Sequence, residues 1–352
     1  MPLPQMDPLD LRVIAALQVN GRASWRSVAQ ALGEGERTVA RRGTRLLESG
    51  LVRVVGLENF AETVVVRLRC RPGRAAEAGR ALAAREDAVF SCRVTGTDDV
   101  VAELQCPAAR LAELTGEELS ALPGVAAIAT DPVLHYYRTA REWRPGLLTA
   151  AEAAVLEPAA VPVQGPTPAP VDRTPDERAI LRALARDGRL TLEELAALAG
   201  VSKATAGRRL EALQSSARLA IRAVVEPAAL GFPVEGLLWV RVRPAAMEET
   251  AQRLLSLPAV RYLAALAGDF PLLVNTAHES REELQRFLVD SGWAREVDQV
   301  RTTLVVESLR RAGPTGSFTT APRHCVLTQS SRTVCLFDSY LASGCRYFSH
   351  TP

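Results

Sequence analysis

The sequence predicts an α+β chain in which two helix-turn-helix blocks alternate with two βαββαβ blocks. Three observations predict it. The first is an internal repeat. "NGRASWRSVAQALG" (20–33) lines up with "DGRLTLEELAALAG" (187–200) at an offset of 167, which also pairs Arg41-Arg42 with Arg208-Arg209 and Leu46 with Leu213. The second is a continuation of that repeat at an offset of 172: "RP" at 71–72 pairs with 243–244, Gly96 with Gly268, Val125 with Val297 and Thr130 with Thr302. The third is apolar patterning, a helical stripe opening each copy and short apolar runs such as "TVVVRL" and "PLLVN" further on.

Taken in order, Leu11, Val13, Ile14 and Leu17 form the first stripe, and Gly21 stops that helix. A second helix holds Val28, Ala29 and Leu32 and stops at Gly33, and a third runs from about Glu36 to Ser49. In the second copy, Thr191-x-x-Glu194 is a capping box for the second helix, and Ser202 is placed to cap the third. A short strand follows in each copy, "LVRVVGL" and "LAIRAVV". The next block reads strand, helix, strand, strand, helix, strand. In copy one these are roughly 63–70, 73–85, 88–96, 99–106, 107–121 and 124–135; in copy two, 235–243, 245–257, 259–267, 270–277, 279–292 and 297–308. Two helices cover one face of such a sheet. The strands carry consecutive apolar residues, which implies that both faces are covered. The simplest cover for the open face is the equivalent sheet of the other copy.

These elements divide the chain at 1–57, 58–143, 144–174, 175–226, 227–311 and 312–352. The third segment is rich in Pro and Ala and reads as a semi-extended linker. The last has no counterpart in copy one, holds Cys325, Cys335 and Cys345, and is expected to be disordered.

Composition narrows the function. No apolar run approaches the ~20 residues of a membrane span. "MPLPQMDPLD" has neither a basic start nor an apolar stretch, so a cytoplasmic protein without a secretory signal is expected. The six cysteines form no CxxC pair and the four histidines are scattered, so neither a disulfide framework nor a metal site is expected, and no cofactor is implied. Net charge is only +2, which excludes a generally polybasic binder. Charge is local instead: residues 36–53 carry five Arg against two Glu, and 202–222 carry one Lys and four Arg against one Glu.

On a helix at 100° per residue, Val39, Gly43 and Leu46 share one side while Arg37, Arg41 and Arg45 gather on the other, with Arg42 at the boundary. In copy two, Ala206, Leu210 and Leu213 face inward, Arg208 projects outward, and Arg209 lies at the boundary. A basic second helix of a helix-turn-helix fits the major groove, and arginine donates two parallel hydrogen bonds to guanine or phosphate. The candidate DNA-contacting residues are therefore Arg37, Thr38, Arg41, Arg42, Arg45, Ser202, Lys203, Thr205, Arg208 and Arg209. The blander reading is a solvated charged face; the repetition of basic character at matching places weighs against it. Gly43 and Gly207 each cost their helix about 1 kcal/mol relative to Ala.

"LDLRVIAALQVNGRASWRSVAQALG…RTVARRGTRLLESGLV" and "DERAILRALARDGRLTLEELAALAGVSKATAGRRLEAL" resemble the DNA-binding domain of the leucine-responsive regulator (Lrp/AsnC) family. "RVTGTDDVVAEL" and "ALAGDFPLLVN" are similar to the Gly-Asp-Tyr-Asp turn of that family's effector domain. The resemblance implies two winged helix-turn-helix domains, two ferredoxin-like effector domains whose sheets pack as an intrachain pseudo-dimer, double-stranded DNA as partner, and further association of chains. It also implies an amino-acid effector near Gly96, Asp98, Asp99, Gly268 and Asp269. Thr97 and Pro271 depart from the turn pattern.

The expected function is a sequence-specific transcriptional regulator, not an enzyme. Two alternatives stand beside it. A sirohaem-decarboxylase-like enzyme would use a histidine motif, which "VFSCRVTG" and "VRYLAALAG" lack; they offer Tyr262 and Arg261 at most. A small-molecule sensor that has lost DNA binding is motivated by the acidic turn Glu34-Gly35-Glu36.

Overall fold

The computed structural model describes residues 6–58, 62–157, 173–216, 218–290 and 292–311. The tail expected at 312–352 lies outside them, as does the linker run 158–172. Copy one opens with α1 (Pro8–Val19), where the Asp7 carboxylate accepts the Leu9 N–H at 2.9 Å and Pro8 takes the first helical position. α2 (Trp25–Leu32) is capped by Ser24 and ends on Gly33, whose φ of 67° is left-handed. α3 (Glu36–Glu48) buries Val39, Gly43 and Leu46, the three residues its periodicity turns inward.

β1 (Val52–Glu58) leads to β2 (Thr63–Cys70), α4 (Ala75–Ala84), β3 (Ala88–Val94), β4 (Val100–Gln105) and β5 (Val125–Arg138). The helix expected at 107–121 is instead a 3-10 turn (Ala108–Arg110), an α turn (Leu111–Glu113) and a π turn (Leu114–Glu118). Thr115 Oγ1 donates back to the Leu111 carbonyl at 2.8 Å, and Gly116 sits in the same turn. Both features loosen an α-helix.

The segment expected to be semi-extended carries a helix, α5 (Ala150–Leu156), opened by a Thr149–Glu152 capping box. Its alanines are the best helix formers. Leu156 is buried in the helix-turn-helix core, and Glu152 accepts from Arg12 at 2.5 Å. Copy two follows with α6 (Pro175–Arg186), α7 (Leu192–Ala199) and α8 (Lys203–Ser215). The Thr191–Glu194 box and the Ser202 cap form as expected. β6 (Leu219–Val225), β7 (Val234–Val242), α9 (Met247–Leu255), β8 (Val260–Leu266), β9 (Leu272–His278), α10 (Arg281–Asp290) and β10 (Val297–Arg310) complete the copy.

The strand after each third helix is not a wing paired within its own copy. β1 and β6 pair with each other, antiparallel, from Val52↔Val225 to Glu58↔Leu219. Val55 and Arg222, equivalent at offset 167, face one another, so a pseudo-twofold axis passes between them. Val13, Ile14, Leu17 and Val39 of copy one share one buried cluster with Ile180, Leu184, Leu195 and Leu210 of copy two.

The two four-stranded sheets also join. Their order is β10-β3-β4-β2-β5-β8-β9-β7, closed into a barrel. The seams are β5–β8 (Val133↔Leu266) and β10–β3 (Val305↔Val94). β5 and β10 are 14 residues long, so each covers the edge of the neighbouring copy. Closure removes edges that would otherwise expose unpaired backbone groups. The open faces meet inside: Val65, Val94 and Val101 pack with Leu237, Trp239, Tyr262 and Leu273. Outside, α4 and α9 cover their own sheets through Leu82 and Leu254.

Candidate nucleic-acid interface

Each reading helix is held from below by apolar side chains and from the side by helix one. In copy one Arg42 Nη1 lies 2.9 Å from Asp10 Oδ1 and 3.1 Å from Asp7. Arg45 Nη2 lies 2.5 Å from Asp10 Oδ2. In copy two Arg209 contacts Asp176 and Glu177, each at 3.1 Å. The hydrogen bond to Asp10 raises the Arg42 pKa, and the Leu9 N–H first, then Arg42, holds the Asp7 carboxyl below its usual value. Arg42 and Arg209 are thus half-buried clamps between α1 and α3, and between α6 and α8. The wheel puts them at a boundary; the acids opposite, 32 or 33 residues earlier, decide what they do.

Arg37, Arg41 and Arg208 are exposed and make no hydrogen bond or ion pair among the described residues. Arg45 is exposed but tied to Asp10. Lys203 is exposed and paired with Glu193, whose carboxyl it holds below the usual range. Ser202 Oγ accepts the Thr205 N–H at 3.1 Å and lies 3.0 Å from Thr205 Oγ1, so this pair forms the helix cap. Thr38 is half-buried in the first turn of α3. In the acidic turn, Glu34 lies 3.7 Å from Arg12 Nη1, and Arg12 also donates to the Leu32 carbonyl at 3.0 Å. Arg12 offsets part of the negative charge where phosphate would approach.

The five effector candidates separate. Asp98 is buried, 3.7 Å from Arg67 Nη1 and 3.4 Å from Arg301 Nη2. Asp131 accepts from Arg67 Nε at 3.0 Å. Arg67 lies over the Trp239 ring, and Arg301 over both Trp239 and Phe270. Gly268 abuts this cluster, since a Cβ there would be 2.2 Å from Asp131 Oδ1. Gly96, at φ 98°, turns the chain beside Thr303. Asp99 and Asp269 are not part of the cluster. Asp99 Oδ2 accepts the Cys70 N–H at 2.7 Å, and Asp269 is exposed with only its carbonyl engaged, by Arg241. The residues not foreseen are Arg67, Asp131, Arg301 and Trp239. One signal was present, a lone Arg67 inside the apolar strand "TVVVRL".

Tyr262 and Arg261 both make internal hydrogen bonds, although the Arg261 Nε is buried without a hydrogen-bond partner among the described residues. Tyr262 donates to the buried Glu103 at 3.1 Å, and Tyr136 donates to the same carboxyl. Burial pushes the Glu103 carboxyl up and both tyrosines well above their ordinary value. Arg261 contacts Glu235 at 2.6 Å and Asn275 at 2.9 Å and lies over Trp143. No group of three or more His, Cys, Asp or Glu is placed to hold a metal among the described residues. No helix among them is long and apolar enough to cross a membrane.

Fold and site together define a class: two helix-turn-helix units fused on one polypeptide, each with a basic second helix, above a shared barrel of ferredoxin-like halves. The AsnC-type helix-turn-helix domain matches residues 6–47 and 177–214, and the Lrp/AsnC ligand binding domain matches 235–315. The leucine-responsive regulatory protein of Rhizobium meliloti is 31% identical over 138 residues, 38% of this chain and 88% of that protein. The HTH-type transcriptional regulator FL11 of Pyrococcus furiosus is 26% identical over 132 residues, 37% of this chain and 87% of that protein. The chain belongs to the Lrp/AsnC family. Among solved structures, the siroheme decarboxylase NirDL aligns over 88% of this chain and 94% of its own, with a TM-score of 0.57 and 13% identity. At that identity the likeness shows the fold alone.

Proposed function

We propose that this chain is a sequence-specific DNA-binding transcriptional regulator in which one polypeptide supplies both reading helices of a pseudo-dimer. One observation carries the reading: in each copy the third helix turns its apolar residues into a shared core and leaves unpaired arginine outside, Arg37 and Arg41 on α3 and Arg208 on α8. Thr38, Arg45, Lys203 and Thr205 flank these positions; Lys203 is free to exchange an exposed carboxylate for a phosphate. The two helices differ in sequence, so the half-sites they read differ too. A cytoplasmic site of action follows from that role.

Regulation by a small molecule is assigned to the cluster beneath the Gly96 and Gly268 turns. An α-amino acid fits its chemistry, with Asp98 or Asp131 for the ammonium and Arg67 or Arg301 for the carboxylate. Such a ligand exchanges partners with ion pairs already made, so binding reorganises the contact between copies.

Selection from random duplex DNA tests the reading, followed by binding at rising salt. A selected sequence bound with affinity that falls steeply with salt is expected. No selected sequence, or flat salt dependence, overturns it. The enzyme reading rests on the shared fold of the decarboxylase. Here Tyr262 and Arg261 are engaged in internal hydrogen bonds, which favours the regulator. Turnover of added siroheme by the purified protein would reverse that preference.

A further inference from the structure

Asn20-Gly21-Arg22 and Asp187-Gly188-Arg189 are equivalent turns, and each is built against the opposite copy. Arg22 donates Nη1 to the Gly188 carbonyl at 2.7 Å and Nη2 to the Leu190 carbonyl at 2.8 Å. Arg189 returns the contact, Nη1 to the Gly21 carbonyl at 2.8 Å and Nη2 toward the Ala23 carbonyl at 3.3 Å, with its guanidinium 4.7 Å from the Trp25 ring centroid. The glycine amides cross over as well: Gly188 N–H donates to the Val54 carbonyl at 2.8 Å and Gly21 N–H to the Ile221 carbonyl at 3.3 Å. No side chain fits at either glycine. A Cβ at Gly21 would lie 2.7 Å from Val54 Cγ1 and 3.0 Å from the Ile221 carbonyl, and one at Gly188 2.7 Å from Ile221 Cγ2. The first residue of each turn aims the third. Asn20 Oδ1 accepts the Arg22 N–H at 3.0 Å, and Asp187 Oδ1 accepts the Arg189 N–H at 2.8 Å.

All three positions of the repeated tripeptide therefore serve one contact, and that contact is between copies. It adds to the β1–β6 ladder and the shared core, and it lies at the start of α2 and α7, the helices that carry α3 and α8. We propose that the two turns are a reciprocal spacing lock: they fix the separation and orientation of α3 and α8, so that the chain accepts one half-site spacing. The proposal rests on the regulator reading above. Each added base pair rotates one half-site by roughly a tenth of a turn relative to the other. Locked helices cannot follow that rotation, whereas hinged ones can.

The test uses the full chain and its Arg22→Ala/Arg189→Ala variant, with a selected operator and derivatives in which 1 to about 5 base pairs are inserted between half-sites. Wild type is expected to lose at least about tenfold in affinity at half a turn of insertion. The variant is expected to bind the isolated half-sites as wild type does and to vary less than about threefold across the series. A variant that keeps the wild-type discrimination overturns the lock. Amide exchange at Gly21 and Gly188 gives a readout independent of DNA. Exchange at least about tenfold faster in the variant supports the lock, and unchanged exchange overturns it. A wild type that selects no sequence defeats the regulator reading, and the exchange rates then decide the lock. If the double Ala variant does not fold, Arg22→Lys/Arg189→Lys replaces it, since lysine loses the fork that spans two carbonyls.

Discussion

Gly43 of α3 lies face-on against the indole of Trp25 in α2, so close that a Cβ at position 43 would be 2.3 Å from two ring carbons. The same ring carries the Arg189 guanidinium of the other copy 4.7 Å from its centroid, so moving it disturbs a contact between copies. Gly43→Ala gains helix propensity of about 1 kcal/mol but forces an overpacked contact that typically costs about 1–3 kcal/mol. Net destabilisation of about 1 kcal/mol is expected. Gly207 is the control, since a Cβ there meets Leu192 Cδ1 at an ordinary 3.6 Å. Gly207→Ala should stabilise by about 0.5–1 kcal/mol. Urea melts of the two variants check both signs, and the same sign in both would contradict the packing account.

Gly268 opposes Asp131 in the same way across the barrel seam. Gly268→Ala pushes on a carboxylate that Arg67 holds at 3.0 Å. The expected cost is about 1–3 kcal/mol, read as a lower melting temperature. A weakened effector response should accompany it. Wild-type stability would show that Asp131 moves aside without consequence.

Glu103 gives a pH dependence whose sign follows from burial. Its carboxyl, faced by Thr63, Tyr136 and Tyr262 and near Arg141, is raised above the unfolded value of 4.5. The unfolded chain ionises at lower pH than the folded one. The stability this group contributes is complete below pH 4.5 and is lost as pH rises toward the folded value. Glu103→Gln removes the titration. Thermal melts from pH 5 to pH 8 should show wild type losing more stability with rising pH than the variant. Parallel profiles would mean that Glu103 ionises alike in both states.

Arg41 and Arg208 separate the two half-sites. Arg41→Ala should weaken binding at one half-site and lower the salt slope by about 1, and Arg208→Ala should do so at the other. Arg42→Ala acts through helix one instead. It should lower thermal stability, by releasing Asp10 from one of its two arginines, while leaving the salt slope unchanged. Footprints at a range of salt concentrations make the distinction, and a slope change in Arg42→Ala would move that residue to the DNA surface.

The repeat offsets and local patterning made the element order legible. They also placed Val39, Leu46, Ala206, Leu210 and Leu213 inward and Thr191 and Ser202 at helix starts. These are short-range properties, decided within one helical turn. What escaped depends on distant partners. β1 seeks β6 because the strand after each third helix meets its equivalent on the pseudo-twofold axis, and nothing within "LVRVVGL" says so. The clamp roles of Arg42 and Arg209 need the carboxylates of another helix. The Arg67–Asp131–Arg301 cluster joins residues up to 234 positions apart. The helix at 150–156 was hidden by the prolines around it.

Carrying both halves of the closed barrel on one chain frees each side of the pseudo-twofold from the other. An ordinary homodimer must place the same side chains on both sides of its axis. Here Thr63, Glu103, Tyr136 and Tyr262 gather on one side. Their counterparts at offset 172 are Glu235, Asn275, Ser308 and Phe90, and on that side the Glu235 carboxylate is met by Arg261 and Arg311. A buried carboxyl hydrogen-bonded by two phenols and a carboxylate paired with two guanidinium groups thus occupy twin positions, a difference open only to a chain whose two copies can vary separately.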